Sequence, residues 1–513
     1  MILEKFFTQK YDTQTLFINP DVTFGEFKKF VLGQKKEFEN SDIENVVLLC
    51  ESYFDFAVNF FAAVFARKNI YLLTDKTRLN QVGFEYILPY EPAAGEGVFE
   101  GEYDPCGIMI NLYTSGSTGT PKNIGKTLYN LEVEAQATID EFALSDKTVI
   151  ASTTSSAHSY GVAFNFILPF YGNYKINQKK IEFPEQFDIN EDYILISTPS
   201  FMEKLAKYDF VFKNAPEKIF LAGAKLKDET YSYFAKFSDV IDIYGSTETG
   251  NIACKRGGEK FTLINGVCVE PAVDGRIVVT SDFFPAGEMI LNDIIEKVSD
   301  REFVLKKRTD RLVKIQEKRI SLDELENNLC KHEAVVDCHC FMYDEKLCCA
   351  VVCHDVAKEP QDFKKFLGRY SEILPKKWRI LDEIPKTASG KIDSAKLRKI
   401  FGSNLSMPYV FSRRADSSGA EIELLFRRNS NFLRGHFDIT PVLPGVVQLY
   451  YARFFAEDVF GIELPYDEVK KVKFSNIMKP EIKITLKLIN KEKSVEFTYL
   501  ADDSIFSSGI FVK

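Results

Sequence analysis

The chain has 513 residues, 45% of them hydrophobic and 27% charged, with a net charge of −9 at pH 7. That length requires two or three domains, and the composition is that of a folded globular protein rather than a disordered one. The acidic balance argues against nucleic acid or an anionic membrane as the main partner, and Lys376-Lys377 and Arg413-Arg414 are short and read as solvated surface rather than a basic stripe.

Within the first ten residues Glu4, Lys5 and Lys10 interrupt any apolar signal core. The most apolar stretch, 57–66, is bounded by Asp55 and Arg67 and has about half the length of a membrane span, so a buried helix is expected there. A cytoplasmic protein without stable membrane insertion follows as the expectation. From 45 to 280, short apolar runs (46–50, 70–73, 107–112, 193–196, 219–221, 240–243) alternate with helical patterns such as 131–142. Such alternation predicts an α/β fold with a largely parallel sheet. The charged stretch 306–318 leads into a smaller α+β segment ending near Ile400. Polar residues at 412–419 read as a linker or as a turn at the edge of a third unit. Strand-like runs around one helix follow, the strongest at 482–488, 494–500 and 510–512.

The ten cysteines show no framework spacing, so reduced thiols are expected. Cys338, His339, Cys340, Cys348, Cys349, Cys353 and His354 have metal-binding chemistry but no C-x-x-C pair. The runs 335–342 and 347–353 read better as two apolar strands around a turn at Asp344-Glu345-Lys346, where small buried thiols fit.

The first chemistry-bearing passage is Thr114-Ser115-Gly116-Ser117-Thr118-Gly119-Thr120-Pro121-Lys122, directly after an apolar run. Glycines and hydroxyl residues give a loop whose N–H and O–H groups can surround phosphate oxygens, and Lys122 adds a positive charge. A Walker A loop does not fit: Gly125-Lys126-Thr127 supplies its end, but Thr120 stands where the first glycine is required.

This loop resembles the phosphate-binding motif of the adenylate-forming superfamily, which includes acyl-CoA synthetases, aryl-acid ligases, luciferases and peptide-synthetase adenylation domains. Five further motifs follow in the family's order. Ala157-His158-Ser159-Tyr160-Gly161 resembles the histidine motif beside the acid pocket, and Leu221-Ala222-Gly223-Ala224 the strand end that meets adenine. Tyr244-Gly245-Ser246-Thr247-Glu248-Thr249-Gly250 is similar to the motif in which Thr touches phosphate and Glu holds Mg²⁺. The segment 307–326 resembles the hinge, with Arg308 as the ribose-binding arginine and Asp310 as the pivot. Residues 385–393 resemble the motif whose lysine, here Lys391, is catalytic.

The resemblance implies ATP and Mg²⁺ as cofactors and a small carboxylic acid as substrate. A carboxylate attacking the α-phosphate meets like charge, which Mg²⁺ on Glu248 and the cation of Lys391 would neutralise. Two departures stand out. Leu291-Asn292-Asp293 replaces the family's Thr-Gly-Asp, keeping only the ribose-binding Asp293. Gln316-Glu317 replaces Arg-Gly in the segment that helps position the pantetheine thiol, which alters the acceptor side of the reaction.

The second passage places His436 and Phe437 in a loop, with Pro444-Gly445 opening a helix to about Val459. A helix N-terminus aimed at a thioester carbonyl would polarise it. This passage, with the apolar run 422–426 before it, resembles the active site of hot-dog-fold 3-hydroxyacyl-carrier-protein dehydratases. There the histidine removes the α-proton and a helix carboxylic acid protonates the leaving hydroxyl. The position of that acid is Tyr450 here, and a phenol with a pKa of about 10 is a poorer donor. Glu457 lies on the same face but roughly 10 Å along the axis. Dehydration, thioesterase activity and a non-catalytic dimerisation module all remain open readings.

The expected organisation is an α/β adenylation core (1–309), a small α+β lid carrying Lys391 (310–402) and an α+β hot-dog domain (403–513). The fusion suggests acyl chain assembly, as in fatty-acid-like or aryl polyene pathways. No Asp-Ser-Leu-type phosphopantetheine site is present, so an acyl carrier protein would come in trans, with CoA as the other possible acceptor. A homodimer through the hot-dog domain is expected, because about 100 residues make a modest core alone.

Overall fold

The computed structural model describes all residues except 51, 74–91, 115–121, 146–147, 316–317, 354–359, 382, 388–390, 403–406, 427–441, 466–467, 481 and 502–503. It divides into two compact units, 1–310 with 386–391, and 311–385 with 392–513.

In the first unit the apolar runs become strands where β-branched residues can be buried on both faces. Val149–Ser152, Tyr193–Ser197, Lys218–Leu221 and Asp239–Ser246 lie side by side in parallel. The sheet then turns antiparallel through Gly250–Lys255, Lys260–Leu263, Glu302–Arg308 and Glu288–Lys297, and among the described residues it has thirteen strands. A second sheet sets Asn45–Leu48, Asn69–Leu72 and Met109–Thr114 in parallel, with Lys122–Thr127 antiparallel at its edge.

Local chemistry fixes the helices between them. Thr127 caps helix Leu128–Phe142 in a reciprocal box with Asn130, which satisfies two donors that the helix start would otherwise orphan. The apolar run expected to be a buried helix is Tyr53–Phe65, buried from Phe56 to Phe65 all the way round. Its Phe61 packs against Phe6, Phe27, Phe166 and Phe170 at ring-centroid separations of 4.8–6.1 Å, within the range of favourable aromatic pairs. Among the described residues no helix is long and apolar enough to cross a membrane.

The second unit begins with the hairpin Leu312–Ile315/Lys318–Ser321 and helix Leu322–Leu329. The cysteine-rich runs are strands Val335–Tyr343 and Lys346–Cys353, paired antiparallel, with Lys377–Leu381 parallel to the second. Cys340, Cys348 and Cys349 are fully buried core residues. Helix Ser394–Gly402 closes this part with Leu397, Ile400 and Phe401 turned inward.

Of the two readings for 412–419, the turn is what forms. Strands Tyr409–Ala415 and Gly419–Leu425 pair across it, and Asp416 accepts from Ser418 N at 2.7 Å and Gly419 N at 3.0 Å. They begin a six-stranded antiparallel sheet that continues through Lys483–Lys491, Ser494–Ala501, Ser504–Val512 and Val469–Phe474. The sheet packs on helix Gly445–Phe460, the arrangement of a hot-dog domain. Val447, Tyr451, Ala452, Phe455 and Ala456 of that helix share one core with Ile422, Leu424, Leu486, Leu488 and Phe497.

The opposite side of the helix meets the preceding part of the same unit. Phe454 packs with Ile384, Leu397, Ile400 and Phe401. Asp458 pairs with Lys396 and, at 2.7 Å, with Arg413, while Glu457 lies 3.5 Å from Lys399 and 2.8 Å from Arg453.

Candidate active site

Strand Asp239–Ser246, anchored by buried Val240, Ile241 and Ile243, leaves the parallel core and turns at 247–249 into Gly250–Lys255. Side chains close the turn. Ser246 N donates to Thr249 Oγ1 and Thr249 N to Ser246 Oγ, both at 3.2 Å, and Thr249 Oγ1 bonds Gly250 O at 3.1 Å. This reciprocal fastening leaves Thr247 and Glu248 half-buried at the tip. A hydrogen bond of 3.1 Å between Ser159 Oγ and Thr247 Oγ1 ties the histidine motif to that tip. His158, half-buried, immediately precedes helix Ser159–Gly161, and its carbonyl accepts from Val162 N at 2.7 Å.

Asp293 and Arg308 are directly opposite on neighbouring strands, with Arg308 Nη1 3.2 Å from Asp293 Oδ2. Tyr244 packs its ring against Phe261 and Phe303, at 5.5 and 5.8 Å, which themselves stack at 5.7 Å, with its hydroxyl toward Asp293. Burial above all, and then that carboxylate, hold the phenol well above its usual pKa. At the end of strand Lys218–Leu221, Gly223 takes φ +99°, a conformation for which glycine is the residue of choice, and Ala224 is half-buried beside it. Gly245 stands opposite Asn251 in the hairpin. Lower on the hairpin strand, burial raises the carboxyl of Asp242 to about 6, opposed by Lys255 at 3.6 Å.

The phosphate loop joins two paired strands: Thr114 lies opposite Lys122, which is exposed, and Ser115, Gly116, Ser117, Thr118 and Gly119 between them lie outside the described residues. Lys391 is exposed, and its carbonyl accepts from Thr387 N at 2.7 Å, closing the loop that carries it. The boundary between the two compact units falls between Asp310 and Arg311. Arg311 is gripped by Asp323 and Glu326, each at 2.5 Å, and Glu326 also lies 3.0 Å from His339 Nδ1. Gln316 and Glu317 lie outside the described residues.

One buried charged group, Lys126, has no place in any sequence motif beyond the Walker pattern that does not fit. Lys126 is 1% exposed and lies 3.5 Å from Glu134 Oε2, itself buried on helix Leu128–Phe142. Glu134 Oε1 accepts from Asn251 N at 3.0 Å and Asn251 Nδ2 at 2.5 Å. Burial holds the lysine below its ordinary pKa, opposed by Glu134 and then by Glu248. The available signal was a glutamate on the apolar side of a helix, Glu134 among Leu131, Ala135 and Thr138, closely preceded by a lysine in a strand.

In the hot-dog domain, Pro444 precedes helix Gly445–Phe460, and the Phe474 ring covers Gly445 so closely that a Cβ there would lie 2.6 Å from it. Tyr450 is half-buried and stacks on Phe454 at 6.4 Å. Gln448 is buried and fully engaged: Nε2 donates to Leu443 O at 3.0 Å, Oε1 accepts from Ser507 Oγ at 2.6 Å, and its carbonyl accepts from Tyr499 Oη at 3.0 Å. His436 and Phe437 lie outside the described residues.

Residues 74–279 match the AMP-binding enzyme family, 324–391 the AMP-binding enzyme C-terminal domain, and 412–510 the ApeI-like family, described as ApeI dehydratase. The chain is 25% identical over 373 residues to the D-alanine--D-alanyl carrier protein ligase of Listeria innocua, spanning 58% of this chain and 72% of that one. It is 24% identical over 370 residues to tyrocidine synthase 3 of Brevibacillus parabrevis, spanning 60% of this chain and 6% of that one. Its fold is similar to ATP-bound MatB from Rhodopseudomonas palustris, with a TM-score of 0.65 at 15% identity, covering 78% of this chain and 98% of that one. The O-succinylbenzoate coenzyme A synthetase (MenE) of Bacillus subtilis in complex with AMP is also similar, with a TM-score of 0.65 at 16% identity, covering 77% and 97%. The chain is thus an enzyme of the AMP-binding ligase family, built from the AMP-binding domain and its C-terminal companion and followed by an ApeI-like dehydratase domain.

Proposed function

We propose that the chain activates an acyl or aryl carboxylic acid as its acyl-AMP and passes the acyl group to the phosphopantetheine thiol of a carrier protein. The observation that carries the first half is the hairpin tip: Thr247 and Glu248 are presented on a turn closed by its own side chains and tied through Ser159 to the histidine motif. Glu248 offers the hard carboxylate oxygen that Mg²⁺ takes, so the residues fit a Mg²⁺–nucleotide. When bound, Mg²⁺ supplies charge neutralisation at the phosphates.

In this reading Glu248 holds the metal and Thr247 a phosphate oxygen. Asp293 and Arg308 hold the ribose, and Gly223 and Ala224 line the adenine. His158 borders the acid, and Tyr244 and Gly245 wall its approach to the nucleotide. Lys122 and the 114–119 loop contact the outer phosphates. Lys391, on its short closed loop, brings a cation to the α-phosphate, where charge develops as the carboxylate attacks. Asp310 is the pivot about which the domain bearing Lys391 turns between the two half-reactions. The similarity to a ligase that bears a carrier protein in its name supports a carrier over CoA as acceptor.

For the last domain we infer dehydration of 3-hydroxyacyl-carrier intermediates, with His436 as base and the helix at Pro444-Gly445 polarising the thioester. The match to ApeI dehydratase supports this reading. A non-catalytic, acyl-carrier-binding and dimerising domain is the second reading, favoured by Tyr450 at the acid position. The test of the ligase is an ATP–pyrophosphate exchange screen over aryl, short-chain and long-chain acids. Exchange with one class is expected, and none with any acid overturns the reading.

A further inference from the structure

The buried charges behind the hairpin tip play no part in the chemistry above, yet they touch the elements that carry it. Lys126 sits on the strand that leaves the phosphate loop, Glu134 on the helix after it, and Asn251 on the strand that leaves the 247–249 turn. Glu134 binds both the backbone N–H and the side-chain amide of Asn251, one residue past Gly250. Gly250 has φ +76°, and a Cβ there would lie 2.5 Å from Glu134 Oε2, so the carboxylate packs flush against the backbone at the foot of the turn. Across that backbone Gly245 is equally tight, since its Cβ would lie 2.0 Å from Gly250 O. Burying a carboxylate this deeply is costly unless it is paired, and Lys126 Nζ, 3.5 Å from Glu134 Oε2 and equally buried, is that partner.

We propose that Lys126 and Glu134 form a buried charged strut that sets the position of the 247–249 turn, and with it Thr247 and Glu248, relative to strand Lys122–Thr127 and helix Leu128–Phe142. They are positioning residues. The inference rests on the site reading above, because only that reading gives the position of Glu248 a consequence. Removing Lys126 leaves the buried Glu134 carboxylate without its partner, so the side chain moves from its place and Asn251 loses its anchor. A shift of the order of 1 Å in a charge-handling group costs about a hundredfold in rate.

The test uses the full chain and the variants Lys126→Met, Lys126→Arg, Glu134→Gln and their Met/Gln double, with Glu248→Gln as control. Without nucleotide, amide hydrogen exchange over 245–251 is expected to quicken about tenfold or more in Lys126→Met and Glu134→Gln, and to stay near wild type in Lys126→Arg. In pyrophosphate exchange both single variants are expected to need several-fold more Mg²⁺ for half-maximal rate and to lose kcat. The double variant should do no worse than the poorer single, as expected for two residues acting as one unit. Binding of AMP measured without Mg²⁺ should change less than twofold. If Lys126→Met does not fold, Asn251→Ala severs the same link and carries the same readouts. Amide exchange over 245–251 unchanged in these variants overturns the strut. Quickened amide exchange with unaltered Mg²⁺ dependence and kcat overturns its positioning role. Glu248→Gln with full pyrophosphate exchange overturns the site reading itself, and its wild-type amide exchange distinguishes that failure from a strut that does not form.

Discussion

Replacing Asp242 by asparagine removes a titrating group from the strand that leads to the hairpin tip. Asp242 is 5% exposed, and burial lifts its carboxyl from the usual 3.8 to about 6 in the folded chain, against the pull of Lys255. A raised folded pKa means that the native state holds this proton more tightly than the unfolded one. Its stabilising effect is therefore complete below about pH 3.8 and is lost as the pH rises through about 6. Two pH units at about 1.4 kcal/mol each make the loss roughly 3 kcal/mol, with the pull of Lys255 already contained in the folded value. Asparagine cannot titrate, so the variant escapes this loss. Denaturant unfolding of wild type and Asp242→Asn, run in parallel from pH 4 to 8, should show the stability difference moving toward the variant by up to that amount between pH 4 and 6.5. Above pH 7 the difference should be flat. A pH-independent difference, or one that moves toward wild type as the pH rises, refutes the argument.

Lys391→Ala should abolish acyl-AMP formation while leaving the unfolding midpoint within about 0.5 kcal/mol of wild type, since the side chain is exposed. Wild-type pyrophosphate exchange in that variant removes Lys391 from the chemistry. Carrier protein with its phosphopantetheine arm should be acylated in preference to free CoA, read by mass spectrometry at matched concentrations, and equal acylation favours an acyl-CoA ligase. His436→Ala should stop loss of one water from a 3-hydroxyacyl carrier, whereas Tyr450→Glu should keep or raise it, because a carboxylic acid is the better donor. Water loss absent in wild type at every chain length leaves the non-catalytic reading standing.

The parts of the fold written as periodic burial were legible in the sequence. Apolar runs of three to six residues between turn residues became the parallel strands, and the largely apolar run at 57–66 became a helix buried on every side. Motifs confined to one loop or strand end were legible too: Tyr244, Thr247 and Glu248 share one hairpin, and Gly223 takes the positive φ that its place at a strand end requires. The cross-strand partnership of Asp293 with Arg308 followed from no local spacing, because sheet register sets it. The Lys126–Glu134–Asn251 contact was illegible for the same reason. Glu134 and Asn251 are 117 positions apart, and only the packing of a helix against a hairpin brings them together.

The ion pairs around Glu457 and Asp458 bear on how the last domain has to be assayed. By sequence, Glu457 lies on the face of the acid position but too far along the helix to replace it. In the structure it is committed elsewhere, to Arg453 at 2.8 Å, to the Leu464 N–H at 3.1 Å and to Lys399 at 3.5 Å. Asp458 is held by Lys396 and Arg413. Phe454 adds an apolar contact with Leu397, Ile400 and Phe401. Both lysines, and three of the apolar partners, lie before residue 403, on the helix that ends the preceding domain. Cutting the chain near 405 would expose the Phe454 face and leave both carboxylates short of a cation on the helix that also carries Tyr450. Loss of activity in such a fragment would then report a loosened helix as readily as absent chemistry. The water-loss assay belongs on the full chain, where Lys391→Ala silences the ligase and His436→Ala alone probes the dehydratase.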